Sequence, residues 1–131
     1  MDEKTFKTRT KKLAVAIIRE VGRLPKSRAA DVIARQIIRS GTSVGANYRA
    51  ACRAKSTADM VNKMKIVEEE CDETAYWIEI LVESGLISQE QVNEVYKETN
   101  EILAMTVASI KTLRARQSSG NRKSAIVYPK S

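Results

Sequence analysis

Two pairs of carboxylates, Glu68 with Asp72 and Glu69 with Glu73, sit four residues apart in the chain. On a helix that spacing brings each pair to one face, where oxygen ligands could hold a magnesium ion. Bundle proteins that bind iron use Glu-x-x-His pairs, and this sequence has no histidine. The same absence removes Ser–His and Cys–His nucleophile activation, a histidine base near neutral pH and histidine zinc sites. Cys52 and Cys71 are too few for a four-cysteine zinc site. Both fall on or beside apolar stripes and read as reduced, packed thiols. Lys63, Lys65 and Lys97 accompany the acids, so a solvated charged face accounts for them without a metal. The expectation is a protein without catalytic residues, metal or cofactor.

A second set of residues suits anion binding. At about 100° per residue, Arg28, Arg35, Arg39, Arg49 and Arg53 fall within roughly 80° of one another on a single helix. Guanidinium groups in such a ridge, with Lys7, Arg9, Lys11 and Lys12 upstream, fit phosphate contacts that carry little base specificity. Arginines opposite a core face also pair with acids, here Glu68, Glu69, Glu70, Asp72 or Glu73, so both readings stand. There is no aromatic-rich strand for stacking single-stranded bases and no named DNA-binding motif.

The ridge requires Arg39–Ser56, "RSGTSVGANYRAACRAKS", to be helical despite two glycines, a Thr-Ser pair and an Asn. Opposite the arginines lie Ala30, Ile33, Ile37, Val44, Tyr48 and Ala51, and both stripes keep phase across Gly41 to Gly45. A loop has no reason to preserve that register. A phosphate loop needs G-x-x-x-x-G-K-[ST] after a strand; here three residues separate the glycines and no strand precedes them. Gly41 and Gly45 are therefore expected to let a neighbouring helix approach closely.

The remaining elements follow from the same periodicity. The chain has 131 residues, 43% of them hydrophobic, with two prolines and five glycines, which suits one domain of a few long helices. The spacing predicts helices over about residues 5–22, 27–55, 57–84 and 88–117. Ser27, Ser56-x-x-Asp59 and Ser88-x-x-Gln91 are N-terminal caps, and Gly22 and Gly85 are stops. Met60, Met64, Val67, Cys71, Thr74, Ile78 and Leu81 alternate spacings of four and three, a bundle seam. The fourth helix has a more polar seam of Val92, Val95, Thr99, Ile102, Thr106, Ser109 and Leu113. Short connections make neighbours antiparallel, so the fold class is all-α, an up-down-up-down four-helix bundle over residues 1–117. Residues 118–131 read as a mobile basic tail, and Ala125-Ile126-Val127-Tyr128 within it as a stretch that could dock on a partner subunit. Ile66, Trp77 and Ile80 lie away from the third helix's seam. They suggest either an oligomer interface or a seam broad enough for two neighbours in the same chain.

Charge is unevenly distributed under a net +7. Residues 1–55 carry 14 Lys/Arg against 4 Asp/Glu, residues 56–100 carry 3 against 11, and residues 101–131 carry 6 against 1. A basic–acidic–basic chain suits an anionic partner and pairing between segments. No apolar run is long enough to span a bilayer, and "MDEKTFKTRTKK" lacks the apolar core of a secretory signal. The expected location is the cytoplasm.

"QIIRSGTSVGANYRAACRAKSTADMVNKMKIVEEECDETAYWIEILVESGLI", Gln36 to Ile87, resembles the bacterial four helix bundle protein family. Some of its members are encoded in intervening sequences of large-subunit (23S) ribosomal RNA genes. The resemblance extends over the first helix and the "LPKS" turn. It rests most on Arg39 to Arg49, on Arg53-Ala54-Lys55-Ser56 and on Glu73-Thr74-Ala75-Tyr76-Trp77. Many members carry N-I-A-E-G where this chain has Asn47-Tyr48-Arg49-Ala50-Ala51, so any role of that glutamate does not carry over. The resemblance implies an antiparallel bundle that assembles as a homopentamer with a basic surface. It also implies kinship with a pentameric accessory protein of diversity-generating retroelements, which binds a reverse transcriptase and nucleic acid. Two functional readings result. One is a homo-oligomer binding RNA or DNA through its arginines; the alternative is a scaffold or accessory subunit for a protein such as a reverse transcriptase.

Overall fold

The computed structural model describes the backbone of residues 2–127 and the side chains of residues 2–119. Four helices follow one another: α1 (Glu3–Val21), α2 (Arg28–Cys52), α3 (Thr57–Glu83) and α4 (Gln89–Val127). Each start has a side chain accepting from an otherwise unpaired backbone N–H. Asp2 accepts from Thr5 N, Ser27 from Ala30 N, Ser56 from Asp59 N and Ser88 from Gln91 N. The carboxylate of Asp59 also accepts from Lys55 N at 3.1 Å, one residue before the cap, so this is a capping box in variant form, without the bond to the cap's own N–H. At the end of α3, Gly85 takes φ +78°. Leu86 N then donates to Leu81 O and Gly85 N to Val82 O, a paired termination that needs the left-handed conformation glycine adopts freely.

α1 packs on α2 and α4, and α3 packs on α2 and α4, while the backbones of diagonal helices stay more than 8 Å apart between Cα atoms among the described residues. Pairs across α1 and α2 run in opposite order: Phe6 stacks edge-on against Tyr48, Gly45 lies by Thr10, and Gly41 lies by Ile17. The fold is thus the expected all-α antiparallel four-helix bundle. Its centre holds Phe6, Leu13, Ile17, Val44, Met64, Val67, Ile78 and Ile102. The threonines in the seams fit because each hydroxyl donates to a carbonyl of its own helix. Thr99 bonds to Val95 O, Thr106 to Ile102 O and Thr74 to Glu70 O. Each methyl is left for the core.

Helix continues unbroken from Arg28 through Gly41 and Gly45 to Cys52, three residues short of the expected end near 55. A Cβ on Gly41 would stand 2.5 Å from Ile17 Cδ1, and one on Gly45 would stand 3.1 Å from Thr10 Oγ1. The glycines exist for this close approach, as the register argument required. α4 is longer than its seam indicates. Leu113 is its last buried residue among the described side chains, yet helix runs on to Val127, ten residues past the expected end at 117. No proline stops it before Pro129, and one glycine, Gly120, costs a helix only about 1 kcal/mol. The side chains of the Ala125–Tyr128 stretch lie outside the described residues.

Candidate nucleic-acid interface

All five arginines of the α2 ridge are exposed. Arg28, Arg35, Arg39 and Arg49 lie on the helix, and Arg53 is its C-terminal cap. The ridge is not uniform, because its angular spread decides which neighbour each arginine meets. Arg39, at the edge nearest α3, donates through Nη2 to Glu73 and through Nη1 to Glu70 at 3.3 Å. Arg49, at the opposite edge, lines a groove against α1. Arg28, Arg35, Arg49 and Arg53 have no carboxylate within ion-pair distance among the described residues. The two sequence readings of the ridge therefore divide by residue: Arg39 pairs with acids, and the other four face solvent.

The upstream basic residues divide in the same way. Arg9 turns away from α2 and bonds to Glu98 on α4 through Nε at 2.9 Å, with Glu101 at 3.1 Å from Nη2. It ties α1 to α4 and contributes nothing to the ridge. Lys7 pairs with Glu3 one turn earlier. Lys11 and Lys12 are exposed and have no acidic partner among the described residues. Arg9's partners were missed in the sequence because they lie 89 and 92 residues away, and no local spacing reports such a pair.

On α3, Glu73 accepts from both Arg39 and the indole Nε1–H of Trp77, the latter at 3.0 Å. The Arg39 bond, then the Trp77 bond, hold the Glu73 carboxyl below its ordinary pKa. Two of the acids considered as magnesium ligands or arginine partners, Glu70 and Glu73, are thus held by Arg39. No group of three or more acidic or cysteine side chains converges as metal ligands would among the described residues. Cys71 is buried, and burial with nearby carboxylates pushes its thiol up to about 12. Burial raises the half-buried Cys52 as well.

The expected interface residues occupy different depths. Ile66 is 40% exposed. Trp77 is half-buried, packs against the core and meets Tyr76 edge-on at 5.0 Å, so it belongs in part to a broad seam within the chain. Ile80 is half-buried. Val15, Ile18, Val32, Tyr76 and Val107 are further exposed apolar side chains, of which Val15 and Ile18 lie one turn apart on α1.

The family model for the 23S rRNA-intervening sequence protein matches residues 3–108. The chain belongs to this family. A solved structure from Bacteroides thetaiotaomicron, described as a protein with unknown function from the S23 ribosomal protein family, is similar at 36% identity and a TM-score of 0.78. The match covers 85% of this chain and 99% of that one. No curated protein matches. The family carries a bundle fold and leaves activity to be argued from the surface. No helix among the described residues is long and apolar enough to cross a membrane.

Proposed function

We propose that the protein is a non-enzymatic, self-assembling four-helix-bundle module of the cytoplasm that binds RNA or DNA through the basic side of α2. One observation carries the reading: four arginines on one side of one helix stand exposed without a carboxylate partner among the described residues. A structural role would pair them, as Arg39 is paired. Assembly into a homopentamer, which the family resemblance implies, would repeat the ridge around the particle and multiply weak phosphate contacts. The reading includes no metal, no cofactor and no catalytic residue, and the absence of histidine removes Ser–His and Cys–His pairs.

The test is to purify the protein at low and high salt, measure its mass in solution and sequence whatever nucleic acid accompanies it. The expected result is an oligomer whose affinity for nucleic acid falls steeply with salt. A nucleic-acid-free oligomer that ignores RNA and DNA at low salt overturns the reading. A second reading, an accessory scaffold for a protein such as a reverse transcriptase, draws on exposed Ile66 and, three to four turns along the same side of α3, half-buried Trp77 and Ile80. Contact with such a partner would be largely apolar and would survive salt that strips nucleic acid. Ile66→Glu would weaken it, or would weaken self-association if that face joins copies of the chain. A monomer in solution removes the self-association role of that face.

A further inference from the structure

The exposed side of α1 and α2 holds an open groove of about 240 Å³. It exists because the helices meet closely there through Ala14, Gly45 and Ala46, which send no long side chain outward to fill it. Its rim is cationic, with Lys7 and Lys11 from α1 and Arg49 from α2, and no carboxylate lines it. Lys7 is partly occupied by Glu3; Lys11 and Arg49 have no acidic partner among the described residues. Two hydroxyls also line the groove, but their protons are committed. Thr10 donates to Lys7 O and Thr42 donates to Ile38 O at 2.7 Å. A ligand must therefore be an acceptor-rich anion served by ammonium and guanidinium donors, and an arginine fork matches the oxygens of phosphate.

We propose that the α1–α2 groove is a phosphate seat, and that it takes a backbone phosphate of the nucleic acid. The second clause rests on the function proposed above; the first does not. The seat moves the centre of the interface from the middle of α2 to its border with α1. Lys11 also lines the adjoining surface with Lys12 and Arg19, so the cationic path continues across α1. The Arg39 end, closed by Glu70 and Glu73, lies outside it. Contacts of this kind position a strand without reading its bases.

Two measurements test the proposal on the full chain. The first is the salt dependence of oligonucleotide binding for wild type, for Lys11→Gln/Arg49→Gln, and for Lys26→Gln/Lys65→Gln. The last removes the same charge from exposed positions outside the groove. For each protomer that engages the strand, the groove variant should lower the slope of log affinity against log salt by about 2 and the affinity at 0.1 M salt by roughly fiftyfold, since each lost contact removes about one released counterion. The control should change little. Equal weakening by both variants overturns the seat, because the effect is then one of overall charge. The second measurement follows alanine methyl NMR signals during titration with inorganic phosphate. Ala14 and Ala46 should move and Ala104, exposed on α4, should not, with the shifts abolished in Lys11→Gln/Arg49→Gln. Unmoved Ala14 and Ala46 overturn the seat even if nucleic acid binds. If phosphate moves them and wild type ignores nucleic acid at low salt, the seat stands and the nucleic-acid reading falls.

Discussion

Gly41 offers a test of why a glycine pair sits in the middle of a long helix. Gly41→Ala has two opposed effects. Alanine is favoured over glycine in a helix interior by about 0.8–1 kcal/mol. The new methyl, however, would lie 2.5 Å from Ile17 Cδ1, well inside the ordinary carbon–carbon separation of about 3.5–4.0 Å. Ile17 is only 1% exposed, so it cannot swing aside without pushing other core side chains. Overpacking of this kind costs about 1–3 kcal/mol, so after the propensity gain the expected net loss is about 1 kcal/mol. Ile17→Val alone removes Cδ1 and should cost about 0.5–1.5 kcal/mol. In the double variant the methyl introduced by Gly41→Ala fills the space that Cδ1 left. The next contacts, Ile17 Cγ2 at 3.4 Å and Cγ1 at 3.6 Å, are tolerable. The double variant should therefore approach wild-type stability, with a coupling of about 2 kcal/mol in its favour, the sum of the two single losses. The assay is urea unfolding of all four proteins at one fixed protomer concentration, because assembly makes stability concentration-dependent. Additivity within about 0.5 kcal/mol, or a Gly41→Ala variant more stable than wild type, would refute close packing as the reason for this glycine.

Three further outcomes are expected. Thr74→Val deletes a buried hydroxyl that donates to Glu70 O and lies 2.9 Å from Ser40 Oγ; it should cost about 1 kcal/mol in the same unfolding assay, and no loss would show that this α2–α3 polar contact is idle. Glu73's carboxyl is held below its ordinary value mainly by Arg39, so its contribution to stability is present above the unfolded pKa and disappears as pH falls through the folded one. Arg39→Gln should move the Glu73 titration up, read by carboxyl NMR or by fluorescence of Trp77, the chain's one tryptophan; an unchanged midpoint contradicts the pairing. With a thiol-reactive disulfide near pH 8, half-buried Cys52 should react slowly and buried Cys71, pushed up to about 12, far more slowly until the chain is unfolded, whereas equal rates in the native protein would contradict the packing of α3.

Several elements were legible because their causes are local. A serine before each of α2, α3 and α4 caps it through an N–H three residues on. The two stripes of α2 hold phase across Gly41 and Gly45 because a helix advances by a constant angle whatever residue occupies the position. The same regularity placed Met64, Val67, Cys71 and Ile78 in the core before any neighbour was known. The exit of α4 was less legible. The heptad-like seam read from its sequence ends at Leu113, so no apolar period beyond it reported that helix continues to Val127.

The amino-acid sequence by itself determined that four helices form, that serines cap the last three, and that five arginines share one side of α2. Only the tertiary structure decided which of those charges are free. Arg39 meets Glu70 and Glu73, 31 and 34 residues away. Arg9 leaves the basic face for Glu98, 89 residues away. Arg49 and Lys11 come to opposite walls of one groove. A helical period fixes the direction of a side chain relative to its own axis. What lies in that direction depends on how the helices are rotated and spaced against one another, and here that spacing is set by two glycines against Thr10 and Ile17.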